Sequence, residues 1–277
     1  MKTNAFLLLF LPLILSMSPI FSTDDYSVEI KDREHLPVEV YQALKNYDAI
    51  LIGEVHGNNE TPEFVEGMIN LWLASGEKVI LGLEINQDEQ ENLDKFIQSG
   101  DVELLKKSPF FNRPFQDGRS SAAMAHLIQM LRIKNDLKIV CLDVPSAQSS
   151  SPKRDSVMAM NAIAAVKSYP GRKLITLTGN VHNKTELGGF GYPMGYWLSN
   201  NNAVKINKEK VISVDVVYEG GNSWNCQGRE VSCRVYEQGN LSRELATKYS
   251  FENGFIQSGD ERFFFTRKIS ASLPLNK

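Results

Sequence analysis

Only four histidines occur in the 277 residues, and two of them close apolar runs in the same way. Gly53-Glu54-Val55-His56 ends one run and Gly179-Asn180-Val181-His182 ends another. Two more runs, Lys78 to Glu84 and Leu137 to Asp143, end in carboxylates. An imidazole can give or take a proton near neutral pH, so His56 and His182 with Glu84, Asp143 and the nearby Arg154 suffice for hydrolysis without a covalent intermediate. In that chemistry His56, as a neutral imidazole, takes a proton from water and Glu84 orients it or holds the water. Arg154 and His182 stabilise the developing oxyanion. The same groups suit a divalent metal held by His56, His182 and Glu54 or Glu84, with a position left open for water. No Gly-x-Ser-x-Gly elbow is present, which disfavours a serine hydrolase. His56 is expected to serve chemistry rather than folding, so that His56→Ala costs little stability.

These residues need a frame that brings them together. Continuous Ile, Leu and Val between polar punctuation is the pattern of a strand buried on both faces of a parallel sheet. In such a sheet, ligands bind beyond the C-terminal strand ends, where all four polar endings fall. Side chains alternate along a strand, so Glu54 and His56 share one side, as do Asn180 and His182. Thr61-Pro62 opens a helix with Phe64, Met68, Leu71 and Trp72 on one face, and Met124, Leu127, Ile128 and Leu131 mark another that leaves His126 in solvent. Arg154 falls in the first turn of a helix running to Ser168, where it opposes the dipole; an anionic partner such as Glu84 explains it. The expected class is α/β, with a mostly parallel central sheet flanked by helices. Val211–Val217 and Arg262–Ile269 add a small C-terminal β-rich extension. Two stretches break the regular pattern. Ser108 to Arg119, with three phenylalanines and two arginines, reads either as a flap over the site or as loop aromatics anchored in the core. Asn183 to Leu198 is rich in glycine and aromatics, and its Tyr192, Met194 and Tyr196 can line a pocket, ligate haem or simply pack.

Gly-Glu-x-His56 after a strand, Glu84 after the next, Arg154-Asp155-x-x-Met158-Ala-x-Asn161 opening a helix and Gly-Asn-x-His182 follow one another between Tyr47 and Leu198. In that order they resemble the haem-binding-uptake (ChaN-type), erythromycin esterase and Tiki/TraB superfamily, with the ChaN-type branch most similar. The resemblance implies a ChaN-like α/β domain over residues 23–277. It also implies one of three activities: haem binding for iron uptake, metal-independent ester hydrolysis or metal-dependent proteolysis. The partner is then a small-molecule or peptide substrate, or haem, and the cofactor is a divalent metal, haem or none.

Residues 1–22, with Lys2 before an apolar core and small residues near Ser22, have the three-part form of a secretory signal peptide. A secreted or periplasmic protein with no membrane span after signal removal is expected. The formal charge of −3 and the lack of basic runs give no electrostatic footprint for nucleic acid. In an oxidising compartment, Cys226 and Cys233 across a short Gly-containing loop are expected to pair, leaving Cys141 as a small buried hydrophobe.

Overall fold

The computed structural model describes residues 25–148, 151–189, 191–200, 206–227, 232–242 and 244–277. The signal peptide expected at residues 1–22 lies outside them. In chain order the strands are β1 (Tyr26–Glu29), β2 (Ala49–Glu54), β3 (Val79–Asn86), β4 (Leu137–Asp143), β5 (Lys173–Gly179), β6 (Val211–Gln227), β7 (Ser232–Gln238), β8 (Asn253–Ser258) and β9 (Glu261–Ile269). The helices are α1 (Val38–Leu44), α2 (Glu60–Ala74), α3 (Gln90–Ser99), α4 (Val102–Lys107), α5 (Ala122–Leu131), α6 (Arg154–Ser168), α7 (Met194–Ser199) and α8 (Leu245–Lys248). All nine described strands join one sheet in the order β1-β8-β9-β6-β2-β5-β3-β4, with β7 paired to β6. Contacts from β9 through β4 are parallel, and those of β1, β7 and β8 are antiparallel.

The apolar runs of β2, β3 and β5 become the middle of this sheet because helices cover both of its faces. One face carries Ile50, Ile52, Leu81, Leu83, Ile175 and Leu177 against Phe64, Met68 and Trp72 of α2 and the apolar stripe of α5. The other carries Ala49, Leu51, Ile80 and Leu174 against Met158, Ala162 and Ile163 of α6 and Met194 and Leu198 of α7. Adjacent strands β2 and β5 therefore send their following helices, α2 and α7, to opposite faces. That is a topological switch point, where a crevice opens beyond the strand ends. His56 follows β2 and His182 follows β5.

The C-terminal extension proves to be continuous with the sheet. The first residues of β6 pair with β2, its middle pairs with β9, and its last residues turn outward into a hairpin with β7. Cys226 and Cys233 face each other across that hairpin and are disulfide-bonded, while Cys141 is free and buried, its thiol pKa pushed up by burial. At the opposite edge, β4 has no strand neighbour beyond it among the described residues. The Gln90 side chain covers this edge: its amide donates to the Ile139 carbonyl (3.2 Å) and accepts from the Cys141 N–H (2.7 Å). No helix among the described residues is long and apolar enough to cross a membrane.

Candidate functional site

Glu84 is the centre on which the polar strand ends meet. The β3–β4 register slips between Leu83 and Asn86, so that Glu84 and Ile85 bulge out of the ladder, a device that re-aims a side chain. The Glu84 carboxylate is buried. Its Oε2 accepts the Gly179 N–H (2.7 Å) and lies 3.4 Å from His56 Nε2, while its Oε1 takes Arg154 Nη2 (2.5 Å) and Arg119 Nη1 (3.2 Å). Asp143, wholly buried at the end of β4, completes the frame by accepting from Arg154 Nε (2.7 Å) and Arg119 Nη1 (2.8 Å). Two guanidiniums and two carboxylates thus satisfy each other, the arrangement that buried charges require. Both arginine pKa values are driven up: burial lowers them, but the carboxylates outweigh it.

The two histidines differ in their partners. His56 lies between acceptors, with Nδ1 2.8 Å from Glu54 Oε1 and Nε2 facing Glu84. Carboxylates only accept, so both ring nitrogens carry protons. Burial pulls this imidazole pKa down, but Glu84 and Glu54 more than reverse it, to about 10. His56 is thus an imidazolium at neutral pH, which corrects the expectation of a neutral base. Burial works against the charged form of Glu84 too, but His56 and Arg119 hold its pKa well below the carboxylate range; burial instead raises Glu54. His182 Nδ1 meets Asp155 Oδ1 (2.7 Å) and its Nε2 lies 3.1 Å from Arg154 Nη1. A guanidinium has no acceptor, which assigns the Nε2 lone pair to Arg154 and the Nδ1 proton to Asp155. Asp155 also accepts the Met194 N–H (2.8 Å), tying the site to the start of α7.

Gly179 is the floor between the two rings. A Cβ there would lie 3.1 Å from His56 Nε2 and 3.5 Å from both Glu84 Oε2 and His182 Cδ2. His56 itself is placed by Asn58, which donates to the Val55 carbonyl (2.6 Å) and accepts the Thr61 N–H (2.8 Å). The turn after β2 and the start of α2 are one unit as a result. The N-cap position is Asn59 and not Thr61, and it is the Asn58 side chain just before it that satisfies a first-turn N–H.

His56, Glu84, Arg154 and His182 thus come together. The metal trio does not: Glu54 lies on the Nδ1 side of His56, away from His182, and the Nε2 of His182 faces the Arg154 cation. Among the described residues, no group of three or more His, Cys, Asp or Glu is arranged to hold a metal ion. Of the residues proposed to line a pocket or ligate haem, Met194 is fully buried in the α6/α7 core, so its thioether packs instead of facing a ligand. Its i,i+4 relation to Leu198 already fits a core stripe. Tyr192 is half exposed and leans on Tyr196 and Trp197, with ring centroids 4.8 and 5.6 Å away. In Ser108 to Arg119 the core-anchored reading holds for two of the phenylalanines, and one arginine reaches the site. Phe110 and Phe111 are buried in the core, Phe115 is exposed, and Arg119 enters the site, braced by Asp117 at 2.8 Å. The sequence reading had missed Arg119, Asp117 and the role of Asp155.

No family model and no curated protein matches the chain. Among solved structures, a protein from Bacillus cereus matches at a TM-score of 0.67 with 12% identity, over 90% of this chain and 96% of its own. Erythromycin esterase EreC, as its H289N mutant in an open conformation, matches at 0.65 with 11% identity, over 88% and 97%. The chain shares this fold. A succinoglycan biosynthesis protein matches at 0.67 with 11% identity, over 91% and 96%. At such identities the EreC likeness speaks for the α/β architecture and not for the reaction.

Proposed function

We propose that the protein is a hydrolase, of ester or peptide substrates, that acts by proton transfer through His56. The observation that carries this reading is His56 itself, an imidazolium held by Glu54 on one nitrogen and facing Glu84 and the Gly179 floor with the other. Glu54 fixes the ring's tautomer and orientation, the part an aspartate plays in a Ser-His-Asp triad. A scissile carbonyl over Gly179 lies within reach of His56 Nε2 and of Arg154 Nη1. Arg154 is then the oxyanion donor. His182, whose Nε2 lone pair points at Arg154, aims that guanidinium rather than donating to the oxyanion itself. Glu84, kept ionised by two arginines and a backbone N–H, stabilises the cationic form of His56 before and after each transfer.

The Nε2 lone pair of His182 is directed at the Arg154 guanidinium, which favours a route that does not pass through a metal. The Cys226–Cys233 disulfide suits a secreted or periplasmic protein. With the resting imidazole protonated, water activation requires that proton to leave first. The rate of hydrolysis of a panel of esters and peptides should therefore rise about tenfold per pH unit from 7 towards 10 and level off there. A rate that is flat from 7 and falls above 10 would make His56 a proton donor and overturn its role as base. Activity unaltered in His56→Gln would remove it from the reaction altogether.

A further inference from the structure

We propose that Trp224 is a positioning residue that sets His56 and Arg119 onto Glu84 from outside the site. His56 and Arg119 reach Glu84 from separate loops, and each is flanked by a glycine on the side nearest Trp224. Gly57 follows His56 and Gly118 precedes Arg119. The Trp224 carbonyl lies 1.9 Å from where a Cβ of Gly57 would stand and 2.6 Å from where one of Gly118 would stand, and both glycines have positive φ. Only glycine allows so close a backbone approach. The Trp224 backbone N–H donates to the Gly57 carbonyl (2.8 Å), and its indole N–H donates to the Gln116 carbonyl (2.7 Å), two residues before Gly118. One residue therefore holds the His56 loop by its main chain and the Arg119 loop by its side chain.

Trp224 is itself held from three sides. It is nearly buried, Lys277 Nζ sits 4.1 Å over its ring, and two residues further on Cys226 is bonded to Cys233 across the hairpin. The C-terminal tail reinforces the same point, since the Ser272 N–H also donates to the Gly57 carbonyl (2.9 Å). The tail also reaches the Arg119 side, where the Leu275 N–H donates to the Ser120 carbonyl (3.2 Å), so the extension of the sheet and the tail brace the two charged groups together, with Trp224 seated at both glycines.

The proposal rests on His56 and Arg119 being parts of the site, but its test reads those side chains directly and needs no substrate. The ¹⁵N resonances of the His56 ring and the Arg119 Nε are followed against pH in the full chain, wild type and variants, with amide exchange at Ser272. Trp224→Ala retains the main-chain N–H but removes the nearly buried ring that seats this part of β6 against the two loops, so the His56 titration should move at least one unit from about 10 towards the free value of about 6.5. The Arg119 Nε signal should shift, and Ser272 exchange should quicken at least tenfold. Trp224→Phe keeps the main-chain bond and ring bulk but loses the indole donor, so only the Arg119 signal should respond. Val40→Ala, a core truncation in α1 far from these loops, controls for general loosening. A His56 titration unmoved in Trp224→Ala, an Arg119 signal unmoved in Trp224→Phe, or an equal His56 shift in Val40→Ala would each overturn the proposal. If Trp224→Ala does not fold, Trp224→Phe alone decides the side-chain arm.

Discussion

Gly179→Ala separates the site from the fold. The φ of Gly179 lies outside the left-handed region, so its backbone accepts alanine, and the Gly179 N–H bond to Glu84 survives the change. The new methyl lands 3.1 Å from His56 Nε2, against an ordinary carbon contact of about 3.5 Å. The imidazole must yield by roughly 0.4 Å. The methyl also occupies the volume above the floor in which a reacting carbonyl would sit. Misplacement on the order of 1 Å at a reacting centre costs about 10²-fold, or about 2.7 kcal/mol of barrier; the smaller shift of the ring supplies part of such a loss and exclusion of the substrate from the floor supplies the rest. Stability should barely move: the entropy gain of about 0.4–1 kcal/mol for Gly→Ala at a tolerant position offsets a small contact strain. The expected outcome is a Tm within about 4 °C of wild type and a loss of at least 10²-fold in kcat/KM on any ester or peptide that the wild type turns over. Undiminished turnover with normal stability would show that the reaction does not use the space between His56 and His182.

Stability should vary with pH through the same groups. The His56 pKa is raised to about 10 in the folded chain, against about 6.5 free. Its stabilising contribution is thus complete below about pH 6.5 and is lost as pH rises towards 10. Glu84 is depressed, so its contribution is present above its free value of about 4.3 and lost in acid. Denaturant melts across pH should place the maximum near pH 5–6.5, with an alkaline decline that His56→Gln abolishes; an unchanged decline would refute the charged pair. Arg154→Ala leaves wholly buried Asp143 with Arg119 alone and Glu84 with less compensation, and should cost about 3–5 kcal/mol. Arg154→Ala melting like wild type would show that the four-charge frame does not form.

The fold and the meeting of the strand ends were readable because a strand buried on both faces must be written in Ile, Leu and Val, and its polar end stands out. The Glu54–His56 pairing followed from the two-residue alternation of a strand. What alternation does not reveal is which ring nitrogen Glu54 meets, and that decides between a metal ligand and a carboxylate that holds an imidazolium. The same contact changes the expectation for His56→Ala, because the change leaves buried Glu54 without its side-chain partner, at a cost of about 1–3 kcal/mol. Arg119 was hidden because its partners lie 24 and 35 residues away on two strands. The one local trace was three charges, Arg113, Asp117 and Arg119, set among phenylalanines. Trp224 was further removed still, since its contacts reach 108 residues back to Gln116 and are made partly by main chain, on which side-chain pattern is silent.

The amide of Gln90 at the edge of β4 bonds as one residue of a parallel strand would, receiving at one main-chain site and donating at the next outward one. A sheet that ends this way has, in effect, a false last strand one residue long. A strand arriving from another molecule at the middle of β4 must first displace a tethered group already satisfied by the same hydrogen bonds, so the barrier to pairing there is set by a side chain and not by charge repulsion. Gln90→Ala should keep the fold but scatter light at concentrations where the wild type stays clear, and a variant equally clear would place the protection elsewhere. The guard on this edge of the sheet is thus a single residue of α3, placed at the middle of β4.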